Sequence, residues 1–378
     1  MSAKLHVLAI EPYFGLSHRM FLEGYARYSR HEIVLWDLPP RKWKWRMRGS
    51  AYHFAARARQ EPPARVDIVF ASDFLNLADW RALAPGELGR RPSVLYFHEN
   101  QLGYPLSQDA PVDFHYGWIN LSSALAADRV LFNSAYHREE FLREVERVLG
   151  LMPDHVPLDL VPSLRERSGV FPVGIDFAPH EEVVASRRGW RSKAPVILWN
   201  HRWEYDKAPE RFVDALIELD RRGAAFEVAV CGESFGKVHP AFERLEAELS
   251  PRIRHLGFIE SADDYRRLVA DSDIVVSTAR HEYFGVSVVE AMVLGCLPVL
   301  PAKLSYPEIV PPHLHPLFLY RDESELPDFL ERFLAEPPTY FADEVRAAVG
   351  RFHWRHLAPV LDDHLEAIAS GAHPKPLE

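Results

Sequence analysis

Short apolar runs rich in Val, Ile, Leu and aromatic residues alternate along this chain with longer stretches whose apolar positions recur at helical spacing. A strand apolar on both faces belongs in a parallel sheet covered by helices, because a sheet with one wet face would alternate instead. In the first half the pattern predicts strands over 5–11, 32–38, 66–72, 93–98 and 129–133, with helices such as 17–28 and 137–149 between them. The regularity gives way to the proline-rich and charged "VPSLRERSGVFPVGIDFAP", then resumes at "APVILWN", which puts a boundary near 175–190. The second series predicts strands over 196–200, 226–231, 253–258, 273–277 and 297–300, and helices over 208–222, 241–249, 262–270 and 286–294. Residues 351–370 read as a terminal helix.

The fold class that follows is α/β: two doubly wound domains, 1–180 and 190–350, with 351–378 packing back across a cleft. A length of 378 residues supports two cores rather than one. No run of 18 apolar residues occurs, so no bilayer-spanning helix is expected, and "MSAKLHVLAIEPYFG" reads as a first strand rather than a signal peptide. A cytoplasmic protein with reduced, buried Cys231 and Cys296 is the expectation. The net charge of -10 is unevenly shared: residues 1–180 hold 21 basic and 21 acidic residues, residues 181–378 hold 23 and 33. An anionic macromolecule therefore meets less repulsion on the first half.

That half contains "RKWKWRMR", in which Arg41, Lys42, Lys44, Arg46 and Arg48 enclose Trp43 and Trp45. Cations interleaved with rings suit phosphates and unpaired bases; the alternative is that the tryptophans are core and the charges merely solvated. Ligands of open α/β sheets bind beyond the carboxyl ends of the strands, so the residues there carry the candidate chemistry. After the first strand, Gly15 permits a turn and Ser17 can cap a helix; after the fourth, His98, Glu99 and Asn100 cluster. In the second domain "NHRWEYDK" sets Arg202 and Lys207 on a loop entering a helix, a way to hold a diphosphate. Further on, "ARHEYFGVSVVEAMVLGCLPV" places Glu282 before a glycine turn and Glu290 in an apolar helix, where a hydroxyl-bearing ligand is a fitting partner. The other reading makes Glu282 a cap and leaves Glu290 internally paired. Asp271 and Asp273 sit at the amino end of a strand, the wrong sheet edge for a metal-nucleotide site.

Glu282 and Glu290 with Phe284 and Gly285 between them, preceded by Arg202 and Lys207, resemble the donor site of retaining GT-B glycosyltransferases of family 4 type. More narrowly, "RKWKWRMR", "YFHENQL", "FNS", "HRWEYDK" and the "PDH" at Pro153 resemble the tRNA-queuosine α-mannosyltransferases over most of the chain. The resemblance implies transfer of mannose from GDP-mannose to queuosine in the anticodon loop of an aspartate tRNA. It implies that Glu290 holds the donor ribose, Glu282 lies by the sugar, Arg202 and Lys207 hold the diphosphate without a metal, Gly15 faces the phosphates and His98 faces the sugar. Arg41 to Arg48, with Glu99 and Asn100, would then meet the tRNA. The mechanism implied is front-face transfer with the leaving phosphate assisting deprotonation of the acceptor. The competing readings are a retaining glycosyltransferase with another nucleotide sugar and a non-tRNA acceptor, and a non-catalytic binding module or an epimerase on the same scaffold.

Overall fold

The computed structural model describes residues 4–103, 114–185, 189–190, 193–234, 239–372, 374–375 and 377. The chain forms two compact units, residues 1–175 with 352–378, and residues 176–351. Unit 1 runs β1 (His6–Glu11), α1 (Leu16–Tyr28), β2 (Glu32–Asp37), α2 (Trp43–Gln60), β3 (Ile68–Ser72), α3 (Leu77–Leu83), β4 (Ser93–Phe97), α4 (His115–Ala126), β5 (Arg129–Phe132), α5 (Ala135–Leu149), α6 (Leu160–Glu166) and β6 (Ser168–Val170). Unit 2 runs α7 (Ala178–Ala185), β7 (Val196–Trp199), α8 (Pro209–Arg221), β8 (Glu227–Cys231), α9 (Pro240–Leu249), β9 (Ile253–Gly257), α10 (Ala262–Ala270), β10 (Ile274–Val276), α11 (Val286–Val293), β11 (Leu297–Pro301), α12 (Tyr306–Ile309), α13 (His315–Phe318), β12 (Leu319–Tyr320), α14 (Leu326–Ala335) and α15 (Ala342–Val349). The chain then returns to unit 1 as α16 (Trp354–Ala369).

Each unit holds a six-stranded, all-parallel sheet, ordered β2-β1-β3-β4-β5-β6 and β12-β11-β10-β7-β8-β9. The central strands are buried on both faces, as their unbroken apolar runs require. In each sheet the strand order reverses once, between β1 and β3 and between β7 and β10. That reversal opens a crevice at the strands' carboxyl ends.

The predicted strands agree with the structure to within one or two residues, whereas α2 was not foreseen. Its buried positions Met47, Ala51, Phe54, Ala55 and Ala58 follow helical spacing, but five cations and two tryptophans mask the period, and its N-cap, Lys42, is left-handed rather than a capping residue. Ser17 does not cap α1: the N-cap is Gly15, with no side-chain cap bond, and Ser17 lies inside the helix. Gly15 has an extended φ of -162°; what demands glycine there is Pro40, whose ring would lie 2.5 Å from a Cβ.

α16 completes unit 1. Its Trp354 is wholly buried among Phe21, Tyr25 and Phe171, and a Cβ on Gly24 or Gly174 would lie 2.1 or 2.3 Å from the indole. The buried Asp362 carboxylate accepts hydrogen bonds from Tyr25 Oη (2.7 Å), Ser29 Oγ (2.6 Å) and the Arg30 backbone N–H (2.9 Å), fixing α16 to α1. Where the chain leaves and re-enters the unit, Ile175 N–H donates to Phe352 O and Trp354 N–H donates to Ile175 O. Asp271 follows α10 and pairs with Arg254, and Asp273 accepts from Val196 N–H at the start of the sheet, so both have structural partners. Cys231 and Cys296 are both buried, and the Cys296 thiol donates to Val269 O.

Candidate functional site

Unit 2 brings its predicted cluster to the switch point. The loop after β7 delivers Asn200, Arg202, Asp206 and Lys207, and the loop after β10 delivers Glu282 and Gly285. Lys207 is buried, with its ammonium 3.2 Å from Glu282, 3.1 Å from Asp206 and donating to His281 O at 2.8 Å. Burial alone would lower its pKa, but the two carboxylates outweigh that and raise it. Glu282 uses its other oxygen to accept the backbone N–H groups of Phe284 (3.3 Å) and Gly285 (3.1 Å). Burial favours its neutral form, yet Lys207 and these bonds bring its pKa down to about 2. Glu282 therefore pins the Phe284–Gly285 turn, whose Gly285 has a φ of +95° that a side chain would strain. The buried imidazoles of His201 and His281 are held neutral, their pKa values lowered to about 4 by burial and by Lys207.

Arg202 is half-buried and 3.2 Å from Glu204. Glu290, in α11, has its pKa raised to about 7 by burial. It accepts from Tyr265 Oη at 3.4 Å, and Tyr265 in turn accepts from Asn200 Nδ2 at 3.0 Å. Asn200, His201, Asp206, Tyr265 and His281 escaped the sequence reading. His201 and Asp206 adjoin the singled-out cations and were within reach of it, whereas Tyr265 joins the site only through tertiary packing.

Unit 1 builds a second cluster at its own switch point. Glu11 ends β1, His18 lies on α1, Asp73 follows β3 and His98 follows β4. The fully buried Glu11 carboxylate contacts His18 Nδ1 at 3.0 Å and accepts from Ser72 Oγ and Tyr13 N–H. Burial lowers the His18 pKa, but Glu11 more than offsets it, giving about 9. The His18 ring stacks on His98 at 3.9 Å. Burial and the His18 and His137 charges hold His98 well below the ordinary histidine range, so it is a neutral imidazole. Its backbone is fixed by Asp73, which accepts from its N–H, and by Asn133 of the "FNS" motif, which donates to its carbonyl. Ligand atoms of Glu11, His18 and His98 lie within 4.8 Å of one another. Glu11 and His18 were missed, although a carboxylate closing the apolar "VLAI" run was a visible signal.

The acceptor-side candidates divide. Asn100 is fully buried, its Oδ1 accepting from Leu102 and Gly103 N–H, which makes it a loop-building group rather than a contact surface. Glu99 is half-buried and accepts from Gln101. Trp43 packs with Tyr116 against Met47, Phe74 and Ile119, so the core reading holds for it. Trp45 is 62% exposed, so it does not. Lys44 lies over the Trp43 and Tyr116 rings, and Arg46 donates to Pro39 O. Arg41, Lys42 and Arg48 are exposed. Among the described residues no helix is long and apolar enough to cross a membrane.

Comparison with known proteins gives the same division. Residues 6–175 match the family model described as tRNA-queuosine alpha-mannosyltransferase N-terminal, and residues 182–340 match glycosyl transferases group 1. The chain is similar to the tRNA-queuosine alpha-mannosyltransferase of Drosophila melanogaster, 38% identical over 315 residues, 82% of each chain. It is 27% identical over 195 residues, 50% of this chain and 45% of the other, to a GDP-mannose-dependent alpha-(1-6)-phosphatidylinositol dimannoside mannosyltransferase of Mycobacterium tuberculosis. Among solved structures, Anabaena HepE in complex with UDP aligns with a TM-score of 0.66 at 16% identity, covering 96% of this chain and all of that one. A sucrose-phosphate synthase from Thermosynechococcus elongatus aligns with a TM-score of 0.70 at 15% identity, covering 97% of this chain and 100% of that one. The fold is that of the GT-B glycosyltransferases. The chain belongs to the tRNA-queuosine alpha-mannosyltransferase family of glycosyltransferases.

Proposed function

We propose that this glycosyltransferase moves mannose from GDP-mannose, with retention, onto queuosine in the anticodon loop of an aspartate tRNA. What supports the reading most is the Lys207–Glu282 pair with Glu290 at the unit 2 switch point, in a chain similar over four fifths of its length to a named tRNA-queuosine mannosyltransferase. Glu290 takes the donor ribose hydroxyls, for which a carboxylate offers two acceptors. Arg202 approaches the diphosphate first. Lys207 follows by exchanging a carboxylate contact for phosphate, meeting the charge that builds on the leaving group without a metal. Gly15, Phe284 and Gly285 line the donor loops, and neutral His98 serves the reacting sugar while the leaving phosphate assists the acceptor hydroxyl. The exposed cations of α2 meet the RNA backbone. A soluble cytoplasmic enzyme acting on free tRNA is part of the same reading.

The test is transfer from GDP-mannose or UDP-glucose to tRNA containing or lacking queuosine, with and without EDTA, read by nucleoside mass spectrometry. Mannose appearing only on queuosine-bearing tRNA and only from GDP-mannose, EDTA notwithstanding, is the expected result. Donor binding with no modified tRNA would overturn the acceptor assignment.

A further inference from the structure

We infer that the outward face of α2 is a preorganised stacking platform for unpaired bases of the acceptor, built from Trp45 seated on Gly49 and from Tyr52 two turns further along. The inference rests on the reading of the acceptor as tRNA and goes beyond it in naming which rings bind and how they are held. Three of the eight residues in "RKWKWRMR" are used by the fold itself: Trp43 in its aromatic cluster, Arg46 on Pro39 O and Met47 in the core. Trp45 is left 62% exposed and Tyr52 55% exposed.

Gly49 supplies the independent observation. A glycine inside a helix weakens it relative to alanine, so its presence in the second turn of α2 calls for a local reason. A Cβ built there would lie 2.7, 2.8 and 2.9 Å from three atoms of one group, the Trp45 ring. The indole rests on the helix where no side chain stands. An exposed ring seated in this way has already lost much of the freedom that a ligand would otherwise have to quench.

Charge selects the occupant. From Leu38 to Gln60 there is no Asp or Glu, while Arg41, Lys42, Lys44 and Arg48 are exposed around the two rings. Cations mixed with aromatic faces and lacking exposed Leu, Ile or Val match a polyanion with flat bases better than an apolar protein surface. Trp45 and Tyr52, seven residues apart, share one helix face at a rise of about 10 Å. That distance is roughly three base-stacking steps of about 3.4 Å, so a stacked loop would present bases to both rings.

The test is the affinity of queuosine-bearing tRNA at fixed salt by fluorescence anisotropy, with GDP affinity by calorimetry alongside. Trp45→Ala and Tyr52→Ala should each weaken tRNA binding about tenfold, and Trp45→Phe should retain most of it. Gly49→Ala should keep a stable helix yet weaken tRNA several-fold, because the methyl displaces the ring. GDP affinity should not move in any of them. Arg48→Gln should instead reduce the slope of log affinity against log salt by about 0.7 to 0.9. Wild-type tRNA affinity in Trp45→Ala and Tyr52→Ala, with Arg48→Gln impaired, would overturn the platform while leaving a charged RNA surface. Unaltered affinity in Gly49→Ala would overturn the seat. Absence of tRNA binding by the unaltered protein would refute the acceptor reading and this inference with it.

Discussion

The unit 2 cluster is made of charges whose surroundings fix what each substitution reveals. Glu290 has a pKa of about 7, raised by burial, and the ionised form is the better acceptor for ribose hydroxyls. Donor affinity should therefore rise between pH 6 and pH 8, and Glu290→Gln should flatten that rise while weakening binding, as titration calorimetry at the two pH values can show. The stability linkage has the opposite sign. A carboxyl with its folded pKa above its unfolded value costs nothing below about 4.5, and the cost grows to roughly 3 kcal/mol at most as pH rises to 7. Without donor, Glu290→Gln should thus be more stable than the parent at pH 8 and equal to it at pH 4.5; equal stability at both would show that the carboxyl is not desolvated.

Lys207 and Arg202 look alike in sequence but differ as experiments. Removing Lys207 strands Asp206 and Glu282 as buried charges, and Lys207→Ala should cost about 3–5 kcal/mol of stability in addition to donor affinity. Arg202 is partly exposed, and its pair with Glu204 is worth about 1 kcal/mol or less. Arg202→Ala should weaken GDP binding with the midpoint of urea unfolding almost unchanged; a large shift in that midpoint would show Arg202 to be structural.

Among the elements, those with one clear period were legible and those carrying two messages were not. β1, β3, β4 and β7 read directly because a strand buried on both faces has to be apolar throughout. β6, Ser168–Val170, and β12, Leu319–Tyr320, are too short to show a period. α2 carries a core face and a charged face in one segment, and the charge dominated the reading. Glu282 and Glu290 stood out as acids in apolar runs, whereas the Asn200–Tyr265–Glu290 chain depends on β7, α10 and α11 meeting in space. α16 was legible as a helix but not as the support of α1, because Asp362 finds its donors some 330 residues away in sequence. Asp362→Ala leaves those three donors with no carboxylate and should cost about 3–5 kcal/mol. That corresponds to a fall in melting temperature on the order of 10 °C, and a fall of under about 2 °C would show the contact to be dispensable.

For the whole molecule, chain connectivity makes the two units unequal as folding entities. Unit 2 is one continuous stretch, 176–351, whose sheet and covering helices all lie within it. Unit 1 is discontinuous, and its second piece supplies Trp354, which fills the space between Phe21, Tyr25 and Phe171. Deleting a buried tryptophan alone costs about 3–5 kcal/mol, and losing 352–378 also removes Asp362 and the hydrogen bonds of Ile175 to Phe352 and Trp354. Against a typical domain stability of about 5–15 kcal/mol, that is enough to abolish folding. Residues 176–351 expressed alone should therefore unfold cooperatively in urea and still bind GDP, whereas residues 1–175 alone should lack a cooperative transition. Joining 1–175 to 352–378 by a short linker should restore the transition, because the two ends already meet at Ile175 and Phe352. A cooperative transition in 1–175 alone would mean that the terminal helix adds little to the core it covers. Failure of the linked form would mean that unit 1 depends on unit 2 to fold.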